Sequence, residues 1–157
     1  MPVAEIFMPE NRLGAIIGDA ADPTTSRLAR AAELRVDTLK AGLLLHVASH
    51  MQIIRRLARQ SDDVALLDCG ELGEAAQAIC EVAGAAGLYA LGEAARGVFI
   101  MVAAQGVQGL WRPEALKAHL NAMVMIDGEP DPDHMSGRHA TILEELLALR
   151  TKIGIAH

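Results

Sequence analysis

TTSRLARAAELRVDTLKAGLLLHVASHMQIIRRLARQ, residues 24–60, is the stretch that decides the fold class. It contains no proline and a single glycine, Gly42. Leu28, Ala32, Val36, Leu39, Leu43, Val47, Ile54 and Leu57 recur at steps of three, four or their sum. An α-helix turns once in about 3.6 residues, so these side chains fall on one stripe and predict one long amphipathic helix. Thr24, Thr25 and Ser26 offer hydroxyls to its first free N–H groups.

Upstream, Pro2, Pro9, Pro23, Gly14 and Gly18 make residues 1–23 an irregular arm, with one short helix expected around Asn11–Ile17. Downstream, Ser61-Asp62-Asp63 interrupts the pattern and caps the next segment, where Val64–Leu67 is expected to make a short helical turn. From Gly70 to about Gln105 the chain again reads as helix despite Gly73, Gly84, Gly87, Gly92 and Gly97. Each glycine costs an exposed helix about 1 kcal/mol relative to alanine. They make sense where neighbouring backbones approach closely, or if the helix breaks near Gly87. Gly106–Trp111 reads as a loop whose Trp111 plugs the end of the fold. Pro113 suits the first position of a helix reaching about Ile126. An acidic linker, Asp127–Asp133, leads to a last helix capped by Ser136 and ending near Lys152. Ile142, Leu143, Leu146, Leu149 and Ile153 form its stripe. The expected architecture is all-α: an antiparallel up-down four-helix bundle over residues 24–157, forming one domain behind the arm.

Composition agrees. Apolar residues make up 52% of the chain and aromatics only 3%, an alanine- and leucine-rich balance that favours helices over strands. With 14 basic against 20 acidic residues and a net charge of −6, the chain is a poor match for nucleic acid. Arg55, Arg56 and Arg59 read as a solvated face beside Asp62 and Asp63. Cys69 and Cys80 form no C-x-x-C pair and read as small buried apolar residues. Met8, Met51, Met101, Met123, Met125 and Met135 could line an adaptable binding groove, but methionine at helical spacing reads first as core. The Met1-Pro-Val-Ala-Glu start lacks a basic segment and apolar core, and Val82–Ala104 carries Glu93 and Arg96 mid-span. The expectation is a cytoplasmic protein that does not enter membranes. A mean hydropathy of +0.25 makes a homodimer the simplest way to cover surplus apolar surface.

Signatures of phosphate loops, dinucleotide folds, nucleophile elbows and zinc proteases are all missing. Of the six histidines, only His46 and His50 have informative spacing: four apart, they share a helix face. Two imidazoles need one or two further ligands to hold a metal, and no paired Glu-x-x-His elements occur. His50 lies near the apolar stripe and is expected to be packed and hydrogen-bonded. No metal or cofactor is expected.

The stretch Ala83-Gly84-Ala85-Ala86-Gly87-Leu88-Tyr89-Ala90-Leu91-Gly92-Glu93-Ala94-Ala95-Arg96 resembles the core of histidine phosphotransfer (Hpt) domains. Their pattern H-x-L-K-G-x-A-G-x-x-G-L continues into a Leu and an E-A-A/C-R-like segment. The resemblance covers about residues 70–127, with Pro113–Leu120 where the family's final bundle helix would lie. It implies a four-helix bundle that exchanges phosphoryl groups with receiver aspartates. Aligned through Gly84 and Gly87, the phosphoacceptor position falls on Gln77, the usual Lys on Cys80 and the following Gly on Glu81. Glutamine cannot carry phosphate as histidine does, and Glu81 adds negative charge where the phosphate would sit. The resemblance therefore implies an adaptor or modulator rather than an enzyme, one that docks a receiver or histidine-kinase domain through Gln77, Cys80, Glu81, Gly84 and Gly87.

A second likeness lies in His46-Val-Ala-Ser-His-Met-Gln-Ile-Ile-Arg-Arg-Leu, which is similar to a histidine-kinase dimerisation helix reading H-R-V-K-N-N-L-Q-I-I. Matching Gln52-Ile53-Ile54 puts its acceptor on Leu45, one residue before His46. His46 or His50 acting as a displaced acceptor is one alternative expectation. A metal- or small-ligand-binding bundle is the other.

Overall fold

Stretches that keep their helical pattern without proline become helices, and their ends fall where backbone N–H and C=O groups find other partners. In a computed structural model, residues 23–60, 68–106, 112–127 and 137–155 are described, and all of their regular structure is helical. The helices are α1 (Pro23–Gln60), α2 (Cys69–Ala86), α3 (Tyr89–Ala103) followed by a 3-10 turn (Ala104–Gly106), α4 (Pro113–Asp127) and α5 (Gly137–Lys152). No strand occurs among the described residues. The expected short helices at Asn11–Ile17 and Val64–Leu67, the Ser61 and Ser136 caps, Trp111 and most of the acidic linker lie outside them.

Two compact units divide the chain, residues 1–39 and 40–157. In the first, the described residues are the beginning of α1. Pro23 takes the first helical position, where its missing N–H has no partner to lose, so Thr24, Thr25 and Ser26 fall inside the first turn rather than ahead of it. Leu28, Ala32, Val36 and Leu39 were expected to face a core but are exposed. Periodicity records a face able to pack, and the described residues of this unit supply no second element to pack against it.

In the second unit the same stripe turns inward. Leu43 is half-buried, and Val47, Met51, Ile54 and Leu57 are fully buried. Arg55 and Arg56 are paired with Asp127 of α4 and Glu71 of α2. The arginine face is thus largely neutralised by carboxylates distant in sequence.

Where one helix was expected from Gly70 to Gln105, there are two. Asp68 caps α2, its Oδ1 accepting the N–H of Glu71 at 3.0 Å. Asp68→Ala should cost about 1 kcal/mol, seen as a lower urea midpoint with an unchanged slope. At the other end Gly87 adopts φ +83°, a left-handed conformation that side chains resist. Gly87 N–H then reaches Gly84 O at 3.1 Å and Leu88 N–H reaches Ala83 O at 2.8 Å, which ends the helix. The chain reverses through Gly87 and Leu88. A Cβ on Gly73 would lie 3.2 Å from Val102, and one on Gly92 would lie 3.2 Å from the Cβ of Ala83. Those pairs have the register of an antiparallel hairpin, so glycine here both breaks the helix and lets the two halves approach. Five substantial helices result among the described residues, one more than expected.

Helix α3 packs against α2, α4 and α5. It buries Ala90, Leu91, Ala94, Ala95, Val98 and Met101, small residues with a few large ones. One contiguous core joins these to Met51 and Ile54 of α1, Leu72 and Ile79 of α2, and Leu116, Leu120 and Met123 of α4. Met51, Met101 and Met123 are core as expected, whereas Met125 falls on the outer face of α4 and is exposed; Met8 and Met135 lie outside the described residues.

Candidate functional sites in the helical unit

The residues singled out by the resemblance lie along α2. Gln77 and Glu81 are exposed one turn apart, with Gln77 Nε2 donating to Glu81 Oε1 at 2.9 Å. Cys80 is half-buried and free. Burial pushes its thiol above the ordinary range, Glu93 and then Glu81 add to this, and Arg96 opposes it. Gly84 is half-buried, and a Cβ there would meet the ring of Tyr89 at 3.8 Å. Gly87 is the hairpin turn, with Lys40 Nζ 3.7 Å from the place of its missing Cβ. Two polar side chains are therefore displayed, while both glycines serve the turn and the packing around it.

His46 and His50 meet edge-on, their ring centroids 4.5 Å apart and the planes at 65°. His46 is exposed and His50 half-buried. The expectation of a hydrogen-bonded His50 is not met at Nδ1, which is buried without a partner. Among the described residues no group of three His, Cys, Asp or Glu is assembled for a metal.

The most unusual chemistry lies elsewhere, where α3, α4 and α5 meet. His119 falls on the buried face of α4 with Leu116, Leu120 and Met123, and is 0% exposed. Its Nδ1 lies 2.8 Å from Ala115 O. A carbonyl only accepts, so Nδ1 carries the proton and the neutral ring's Nε2 is an acceptor. That Nε2 is buried with no partner. Arg150 of α5 is 6% exposed, and its Nε is likewise buried without a partner. Among the described residues no carboxylate forms an ion pair with it. Glu93, whose charge acts on it, is held by Arg96 through contacts of 3.2 and 2.8 Å. Gly97 makes the room: a Cβ there would lie 2.8 Å from His119 Cδ2, 3.3 Å from Nε2 and 3.8 Å from an Arg150 Nη. A cavity of about 360 Å³ opens beside them, with leucines of α5 along its other wall.

Sequence reading passed over both residues, although a signal existed. His119 sits at the i+3 position from Leu116, and Arg150 sits at i+4 from Leu146. A polar residue on an apolar stripe is one that folding will bury.

The crowding at Gly97 sets one expectation for stability. Gly97→Ala improves helix propensity by about 1 kcal/mol yet drives a methyl into a ring pinned by its own hydrogen bond. A net loss of about 1–2 kcal/mol is expected in chemical denaturation. Another expectation concerns pH. Burial pushes the His119 imidazolium below its ordinary range; the Ala115 hydrogen bond partly opposes this and Arg150 reinforces it. As pH falls past the ordinary histidine value the unfolded chain takes up the proton first, so the fold loses stability. The loss continues until the folded-state value is passed, at no more than about 1.4 kcal/mol per pH unit. His119→Gln should flatten that slope in urea titrations between neutral and mildly acidic pH.

Comparison of the chain with protein-family models, curated proteins and solved structures returns no match.

Proposed function

We propose that this chain is a phosphotransfer-like docking module of phosphorelay signalling. It binds a receiver or histidine-kinase domain through the outer face of α2 and transfers no phosphate there. In this reading the helices form an up-down bundle in which α3 packs against α2, α4 and α5 and the Val47–Leu57 part of α1 completes the core. The supporting observation is that Gln77 and Glu81, the positions matching the phosphoacceptor and the glycine of the Hpt pattern, are both exposed and bonded to each other. An amide held by a carboxylate presents donor and acceptor atoms to a partner, and offers no nucleophile for phosphorus. The thiol at the position of the usual lysine supplies no cation either.

The test is a binding titration of the full chain against receiver and kinase domains encoded in the same genome, with and without acetyl phosphate. Glu81→Arg should weaken the complex at least tenfold, about 1.4 kcal/mol, without moving the melting temperature. If no such domain binds, the reading is wrong. The exposed ring of His46 keeps a second reading open, phosphoryl acceptance at a displaced histidine. It requires acid-labile, base-stable label that disappears in His46→Ala.

A further inference from the structure

The cavity between α3, α4 and α5 is separate from the α2 face and carries its own chemistry. Moving a guanidinium out of water costs several kcal/mol unless an anion and hydrogen bonds replace the water. Arg150 is nine-tenths buried, its Nε is unpartnered, and the carboxylate of Glu93 is already occupied by Arg96. His119 presents the opposite need: a buried acceptor nitrogen without a donor. The two side chains pack against the bare backbone of Gly97, whose missing Cβ leaves the room that the His119 ring occupies. Ala140, Leu143, Leu146 and Leu147 give the rest of the cavity an apolar wall. Its volume falls within the usual range for small-molecule sites, roughly 300–1,000 Å³.

We propose that this cavity binds a small α-hydroxy carboxylate with an apolar side group. The carboxylate accepts from the Arg150 guanidinium, the adjacent hydroxyl donates to His119 Nε2, and the apolar group lies along the leucines of α5. The charges lining the cavity balance at two of each sign, and of the two cations Arg150 is the one with no carboxylate in ion-pair contact among the described residues. Arg96 and Arg150 stand against Glu93 and Glu144, so a multiply charged phosphate ester would meet two carboxylates. A neutral ligand would leave Arg150 without a counter-charge, and a plain carboxylate would leave Nε2 without a donor. A missing hydrogen bond to a buried group costs about 1–3 kcal/mol, which makes the hydroxyl a strong discriminator.

Mandelate, phenylacetate, mandelamide and inorganic phosphate separate these requirements. Each is titrated into the intact chain while the His119 ring and the Leu143 and Leu147 methyl resonances are followed by NMR. Mandelate is expected to bind and to shift all three groups. Phenylacetate should bind about tenfold more weakly for want of the hydroxyl, and mandelamide at least tenfold more weakly for want of the charge. Phosphate should not displace mandelate. Arg150→Lys keeps the charge but loses the planar fork, and should weaken mandelate at least tenfold while the chain still melts cooperatively. The wild-type titrations decide the matter even if that variant fails to fold. No shift at millimolar mandelate overturns the proposal. So does equal binding of acid and amide, or displacement by phosphate.

Discussion

Ile79→Ala is expected to lower the free energy of unfolding by about 2–5 kcal/mol, the range for truncating a buried isoleucine. Ile79 is fully buried on α2, and most of its companions on that face are small: Ala75, Ala76, Ala83 and Ala86. Apart from Leu72, little else on this face fills volume. The space left by truncation would also persist. The tight Gly73–Val102 and Gly92–Ala83 contacts already hold α2 and α3 close together, so the hairpin has little slack with which to close a void. The upper part of the range is therefore expected, a large share of the roughly 5–15 kcal/mol that holds most domains. Two residues earlier the same helix faces water, and Gln77→Ala should change stability by less than about 0.5 kcal/mol. Urea titrations of both variants at one protein concentration compare the two faces directly. If Gln77→Ala proved the more damaging, the assignment of inner and outer faces to α2 would be reversed, and the proposed docking surface would be lost with it.

Arg150→Met should have the opposite sign, raising stability by about 1–4 kcal/mol. Methionine has a comparable unbranched stem and adapts to irregular space, so contacts near Leu146 and Leu143 are largely kept. What disappears is a cation held in a poorly hydrated place. Burial already pulls the guanidinium's proton affinity down, and neighbouring Arg96 adds like-charge repulsion that Glu93 partly offsets. A residue expected to weaken the fold, yet standing beside an open cavity and the unpartnered Nε2 of His119, is best understood through what it binds. Differential scanning calorimetry of the wild type and Arg150→Met measures this directly. A drop in melting temperature would mean that the guanidinium is needed for folding, and the cavity would lose its claim to be a site kept at the fold's expense.

Much of the helical layout is legible in the residues themselves, because it depends on local chemistry. Pro113 begins α4, and the Ile142–Ile153 stripe marks α5 to its end at Lys152. Other features could not be decided locally. Gly87 allows either a continuous helix spanning the segment or a reversal. The choice depends on whether two halves lined by alanine and glycine gain more by packing together than by continuing straight. The α1 stripe reads alike from Leu28 to Leu57, yet it is buried only from Val47 onward. Spacing identifies a face that can pack, but says nothing of where a partner lies.

The candidate sites divide in the same way. Gln77, Glu81, His46 and His50 are visible in sequence because their relations run along one helix, where spacing of three or four residues sets proximity. The cluster at Gly97, His119 and Arg150 draws one residue from each of three helices, separated by 22 and 31 positions. Local rules determine which segments become helices and which of their faces are apolar. Only the packing of α3, α4 and α5 decides that a cation and an imidazole share a buried wall, since that depends on distances through space which no periodicity along the chain encodes.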